Sequence, residues 1–267
     1  MAWRKTKIAA VVGVVALIAI VAAFVILKDT PAARLAANRA RARMGVPTDP
    51  QAVAHAAETA KILIFRDVPS WSRHPDFEEA LTSLNFKFEV KPSAEMATTD
   101  LSAYDVVIIP GGQWNTPFYG DYNDSAARFQ SYVAAGGTLV LELNGAEGAA
   151  INLPGGVHMV KHGSVDNVLL LPEHPIVLAV GGNPIHANYA SHGYLEGAPK
   201  NAMIIATEAL KKETPDLSRP TFIEYTCGSG RVLAACQCFH DRDGSYRGPW
   251  MPAVIGYAAV KKWFSPR

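Results

Sequence analysis

The sequence predicts a single α/β domain on a mainly parallel sheet, preceded by one N-terminal transmembrane helix. Three observations predict it. Residues 8–27 form an apolar run with no polar side chain. From residue 61 onward, short apolar runs alternate with segments of helical periodicity. The second half turns β-rich and closes on an apolar helical segment over 251–264. The 267 residues suffice for a sizeable core. A formal net charge of +1 excludes a broad nucleic-acid surface, which needs a marked basic excess.

The N-terminal run has the roughly 20 apolar residues that span a hydrocarbon core of about 30 Å. A cleavable signal carries a shorter apolar region, about 7–15 residues, so an uncleaved anchor is expected. Residues 1–7 are a short basic tail holding Arg4, Lys5 and Lys7. Residues 28–60 read as a juxtamembrane helical linker, broken by Gly45, Pro47 and Pro50. Basic residues flank the run on both sides, so the positive-inside rule is nearly balanced. The shortness of the basic tail favours a single-pass topology with an extracytoplasmic, periplasmic domain, and the cytoplasmic side stays open. Ala9, Gly13, Ala16, Ala19 and Ala23 recur at three- and four-residue spacing. Such a seam of small side chains lets a second helix approach closely. The expected partners are therefore the lipid bilayer and other membrane-protein subunits.

The domain proper covers 61–267. Strands are expected over 61–65, 87–90, 106–109 and 138–143, with helices over 75–84 and 124–135 between them. This cadence means a parallel sheet with crossover helices, in which ligands sit at the carboxyl ends of the strands. Further short strands are expected over 157–160, 167–171 and 202–207. A hairpin is expected over 221–226 and 231–239, across Cys227, Gly228, Ser229 and Gly230.

These segments carry a resemblance. The strand from Asp105 that ends in Pro110, Gly111 and Gly112 resembles the third strand of the class I glutamine amidotransferase-like superfamily. So does the helix ending in Gly136 and Gly137 that feeds the strand over 138–143. His174, Pro175 and Ile176, the Gly228 to Val232 hairpin, and Phe239, His240 and Asp241 resemble its ThuA-like branch. The resemblance covers roughly 61–264 and implies a flavodoxin-like three-layer sandwich. It also implies a nucleophilic Cys on a tight elbow after the 138–143 strand, assisted by a His, with backbone N–H groups holding the oxyanion. Here the elbow reads Leu143, Asn144, Gly145, Ala146, Glu147 and Gly148, and the cysteines stand at 227, 236 and 238. The nucleophile is missing, and the family's chemistry does not transfer with the fold.

Other residue groups offer chemistry. Cys236, Cys238 and His240 alternate along one expected strand and share a face, but three adjacent same-strand ligands do not close a tetrahedron, so no metal is expected. No cofactor is expected either. Glu147, His74 and His240 are the candidate acid/base residues. Five further histidines, 158, 162, 174, 186 and 192, are scattered through the second half as surface or capping residues. Asp121, Asn123 and Asp124 read as helix caps. Trp71, Trp114, Phe118, Tyr119 and Tyr122 lie in loops at the strand ends, with Asn144 at the elbow. Aromatics so placed stack on a sugar, anchor a protein partner or pack within their own loops. Two functions follow. The first is a catalytically degenerate amidotransferase-like domain acting as a binding or structural accessory subunit of a membrane complex. The second is a membrane-tethered hydrolase or carbohydrate-modifying enzyme of ThuA-like type using Glu and His instead of Cys.

Overall fold

The computed structural model describes residues 49–70, 73–144, 146, 150–181, 191–211, 214–239 and 249–260. The elements run α1 (Pro50–Thr59), β1 (Ile62–Phe65), α2 (Asp76–Ser83), β2 (Phe88–Lys91), β3 (Val106–Ile109), α3 (Phe118–Asp124), α4 (Ala126–Ala134) and β4 (Thr138–Glu142). They continue with β5 (His158–Val165), β6 (Asn167–Leu169), α5 (Pro175–Ala179), β7 (Ser191–Glu196), β8 (Met203–Lys211), β9 (Thr214–Cys227), β10 (Gly230–Ala235) and α6 (Trp250–Ala259).

An eight-stranded sheet has the order β2-β1-β3-β4-β10-β9-β8-β6, and β5 pairs with β7 in a separate two-stranded sheet. Strands β2, β1, β3, β4 and β10 run parallel to one another. From β10 through β9 and β8 to β6 the pairing is antiparallel. The apolar runs of β1 and β3 are buried along their whole length, as strands covered on both faces must be. Alternation along them splits the core into two layers. Ile62, Ile64, Val106 and Ile108 face Ala57 of α1, Phe77 and Leu81 of α2, Ile176 of α5 and Val254 of α6. Leu63, Phe65, Val107 and Ile109 face Phe118 of α3, Phe129 and Val133 of α4, and Met159 and Leu195 of the small sheet. In the antiparallel half, helices therefore cover one face and the β5–β7 pair covers the other.

The local signals are physical. The Asp49 carboxylate accepts the Gln51 N–H and Pro50 opens α1, which satisfies one orphan donor and needs none from Pro. Gly136, at φ +114° after α4, takes a backbone conformation that a Cβ would strain.

Three expectations are corrected. The sheet is mostly parallel, as expected, but it is not that of a flavodoxin-like sandwich, because β8 and β9 form a long hairpin that returns antiparallel on β10. Among the described residues no helix is long and apolar enough to cross a membrane. The expected span over 8–27, with its seam at Ala9, Gly13, Ala16, Ala19 and Ala23, lies outside the described residues. The single-pass, periplasmic localisation is accordingly set aside. Strand β10 ends at Ala235, so Cys236 and Cys238 do not continue one strand face.

Candidate functional site

At the carboxyl ends of β3 and β4 the elbow is closed. Glu142, the last residue of β4, is buried, and its two oxygens accept the N–H groups of Gly111 at 3.3 Å and Phe239 at 2.9 Å. Asn144 is also buried. Its carbonyl accepts the Gly112 N–H at 2.8 Å, and its Nδ2 donates to Cys238 Sγ. A Cβ on Gly111 would lie 1.6 Å from Asn144 Oδ1, so glycine is required there for backbone and side chain to meet. Gln113 latches the next loop. Its Oε1 accepts from Asp67 N and Val68 N, and its Nε2 donates to Val68 O. The polar atoms of this corner hold loops together.

Trp71, Glu147 and His240 lie outside the described residues. His74 is exposed, with its Nδ1 3.7 Å from Glu79 Oε1. Phe118, Tyr119 and Tyr122 are corrected from ligand contacts to core residues. Phe118 and Tyr119 meet edge to face, and Tyr122 stacks on Phe129. Burial pushes the Tyr122 phenol well up. Trp114 is 43% exposed and remains available. Capping by Asn123 or Asp124 does not occur, since Ser125 is the N-cap of α4. Asn123 instead staples the segment after the elbow, donating to Ala150 O and accepting from Asn152 N. Cys236 is fully buried and its thiol is pushed far up, first by burial and then by the charge of Glu208. That is the behaviour of an inert core thiol. Among the described residues no group of histidines, cysteines and carboxylates could hold a metal ion.

Two polar clusters that local sequence did not announce occupy opposite faces of the antiparallel half. On the helix face, His174 caps α5, its Nδ1 accepting the Ile176 N–H at 3.3 Å. Its Nε2 therefore carries the proton and donates to Glu224 Oε2 at 2.9 Å. The same oxygen accepts from the Tyr257 hydroxyl at 2.9 Å. Arg231 lies over the Tyr257 ring at 5.0 Å, with Nη1 3.6 Å from Glu224 and Nη2 donating to Ala258 O. All four side chains are buried. Burial lowers the Arg231 pKa, opposed by the Glu224 carboxylate.

On the other face, β5 supplies His162, β7 Tyr194, β8 Glu208 and β9 Arg219. His162 Nδ1 is 2.8 Å from Glu208 Oε1, and its Nε2 is 3.2 Å from Arg219 Nη1. Arg219 Nη1 also donates to Glu208 Oε2 at 3.2 Å, and its guanidinium lies 5.4 Å over the Tyr194 ring. Glu208 is buried, whereas His162 is 34% and Arg219 39% exposed. A guanidinium only donates, so Nε2 of His162 is the acceptor and Nδ1–H donates to the carboxylate. The imidazole is neutral, with its basic nitrogen on the half-exposed guanidinium. No sequence signal marks this group, since His162 stands 46 residues from Glu208 and 57 from Arg219.

A groove of about 1140 Å³ lies at the opposite, amino ends of the parallel strands, lined by Asp105, Tyr132, Thr138, Gly228, Arg231 and Ala259. It contains none of the residues expected to form a site.

No family model matches the chain. An uncharacterized protein of Clostridium acetobutylicum is 22% identical over 209 residues, covering 76% of this chain. The chain spans only 21% of that relative's length. A cytoplasmic protein of Salmonella typhimurium is similar at TM-score 0.46 and 15% identity, over 76% of this chain and 100% of that one. A β-galactosidase of Rahnella sp. is similar at TM-score 0.44 and 16% identity, over 76% of this chain and 32% of that one. An exo-β-1,4-mannosidase of an Opitutaceae bacterium is similar at TM-score 0.42 and 14% identity, over 77% of this chain and 35% of that one. Likenesses this distant assign neither a family nor an activity to this chain.

Proposed function

We propose that this chain is a catalytically degenerate, amidotransferase-like binding domain that serves as an accessory subunit of a protein complex. The observation that carries the reading is Asn144. On this reading it belongs to the elbow after β4 where a nucleophile would be expected, and it is buried with its amide on Cys238 Sγ and its oxygen against Gly111. A carboxamide there neither attacks a carbonyl nor leaves room for one. Trp114 supports the binding half of the reading. It is a large apolar side chain left 43% exposed in the loop after β3, and tryptophan is prominent among the residues that dominate interface energetics.

Co-purification tests the reading. The tagged full chain, isolated under mild conditions and examined by native mass spectrometry, is expected to carry a stoichiometric protein partner. Trp114→Ala is expected to lower its yield at least tenfold, the effect of about 1.4 kcal/mol at an interface. A chain that travels alone, or one that hydrolyses glutamine, contradicts the proposal.

A further inference from the structure

We propose that the half-open cluster of His162, Glu208, Arg219 and Tyr194 is a proton-coupled binding site for a carboxylate monoanion. The inference is separate from the partner-binding reading and rests on different residues.

The geometry supplies a built receptor. Arg219 is oriented on two edges: Nη1 by the buried Glu208 at 3.2 Å, and Nε by Asp216 at 3.7 Å. Its plane rests over the Tyr194 ring. Among the described residues this leaves Nη2 to a ligand, on the guanidinium whose Nη1 meets Nε2 of His162. A guanidinium edge presents planar paired donors that match a carboxylate. The aromatic floor limits how far the guanidinium can move.

Charge decides what can enter. At rest, Arg219 balances Glu208 and His162 is neutral, with Asp216 nearby. A bare anion would add uncompensated negative charge beside a buried carboxylate, which is costly. One proton taken from solvent onto His162 Nε2 removes that cost. The protonated Nε2 can no longer accept from Arg219, so the contact between them opens and both groups turn their N–H donors toward the anion. Glu208 keeps its bond from Nδ1–H throughout and stabilises the imidazolium. One monoanion and one proton enter together, and the net charge of the site is unchanged. A dianion leaves one negative charge unbalanced, so a carboxylate is favoured over inorganic phosphate.

Other charged groups stand around the imidazole on every packed element. Tyr194 and Glu196 come from β7, with the Tyr194 hydroxyl on Glu196 at 3.2 Å. His158 lies on β5 with His162, 3.3 Å from Glu196, and Lys161 adjoins His162 in sequence. Glu208 comes from β8, and Asp216 and Arg219 from β9. Past β10, the Cys236 thiol feels Glu208 from the buried side.

Calorimetry of the full chain with sodium acetate, in buffers of low and high ionisation enthalpy, tests the proposal. Inorganic phosphate serves as the comparison anion. The expected result is uptake of one proton per acetate, with affinity falling about tenfold per unit rise in pH while the free site holds neutral His162. Phosphate is expected to bind more weakly. Arg219→Gln is expected to abolish binding, and His162→Gln to leave weak binding without proton uptake. The wild-type pH dependence and the movement of the His162 ¹⁵N signals on adding acetate decide the matter if either variant fails to fold. No heat and no signal movement overturn the proposal, as does proton uptake that survives His162→Gln. Such a failure leaves the partner-binding reading intact, and a chain that purifies alone leaves this site intact.

Discussion

The two faces of the antiparallel half carry the same four residue types, share three contacts among them and put them to different uses. In each cluster a histidine donates to a glutamate, an arginine faces that glutamate, and the guanidinium lies over a tyrosine ring. Helices α5 and α6 seal the first cluster. His174 spends its second nitrogen on the α5 backbone, and Arg231 spends Nη2 on the end of α6. The β5–β7 pair only partly covers the second, where the second nitrogen of His162 meets a half-exposed guanidinium. Composition therefore does not separate a structural cluster from a site. What separates them is whether the last donor or acceptor is spent on backbone or left toward solvent.

The sharpest way to break this comparison is to remove each glutamate. Glu224→Ala leaves Arg231 buried without its carboxylate and is expected to cost about 3–5 kcal/mol in urea titrations. Glu208→Ala is expected to cost about 1–3 kcal/mol, because water reaches Arg219 and His162 after the loss. Equal costs would show that the second cluster is as sealed as the first.

Alkaline pH sharpens the contrast further. Burial first, and then the Glu224 charge, raises the Tyr257 phenol well above its ordinary 10. The unfolded chain loses that proton first, so the stability is complete below about pH 10 and falls as pH rises past it. Tyr122, Tyr132 and Tyr225 shift in the same direction, chiefly through burial. Tyr194 is also raised, by burial and by its bond to Glu196, but it is half-buried and screened by solvent. Urea midpoints between pH 8 and 11 are expected to fall less steeply in Tyr257→Phe and nearly unchanged in Tyr194→Phe. At neutral pH the smallest effects come from the same pair. Tyr257→Phe is expected to cost about 1 kcal/mol through its lost hydrogen bond, and Tyr194→Phe to stay within about 0.5 kcal/mol.

The parallel half was legible in the sequence because its signals are local. The apolar runs at 61–65 and 106–109, and the glycines after α4, each state their conformation within a few residues. The antiparallel half was legible in part: β5, β6, β8 and the β9–β10 hairpin fall on expected strands, but β7 does not. Strand β7 alternates Ser191, His192, Gly193 and Tyr194, which shows no apolar period, and it is held by pairing with β5. The expected 124–135 helix is α4, Ala126–Ala134, whereas the short helix α3 before it, Phe118–Asp124, was not expected. The elbow could be read as lacking a nucleophile, since that is a matter of residue identity. That Asn144 reaches Cys238 could not, because 94 residues separate them. His162 looked like a loop histidine because its partners arrive from three other strands. The loop aromatics misled for a similar reason: Phe118 and Tyr122 lie on α3, and their helical spacing turns them into the core.

The most direct measurement is a long-range ¹H–¹⁵N correlation spectrum of the histidine side chains, assigned by single His→Gln variants. His174 is expected as the Nε2–H tautomer and His162 as the Nδ1–H tautomer, with acetate moving only the His162 signals. A His162 protonated on Nε2 in the free protein, or acetate shifts shared equally by both rings, would contradict the division between a sealed cluster and an open site.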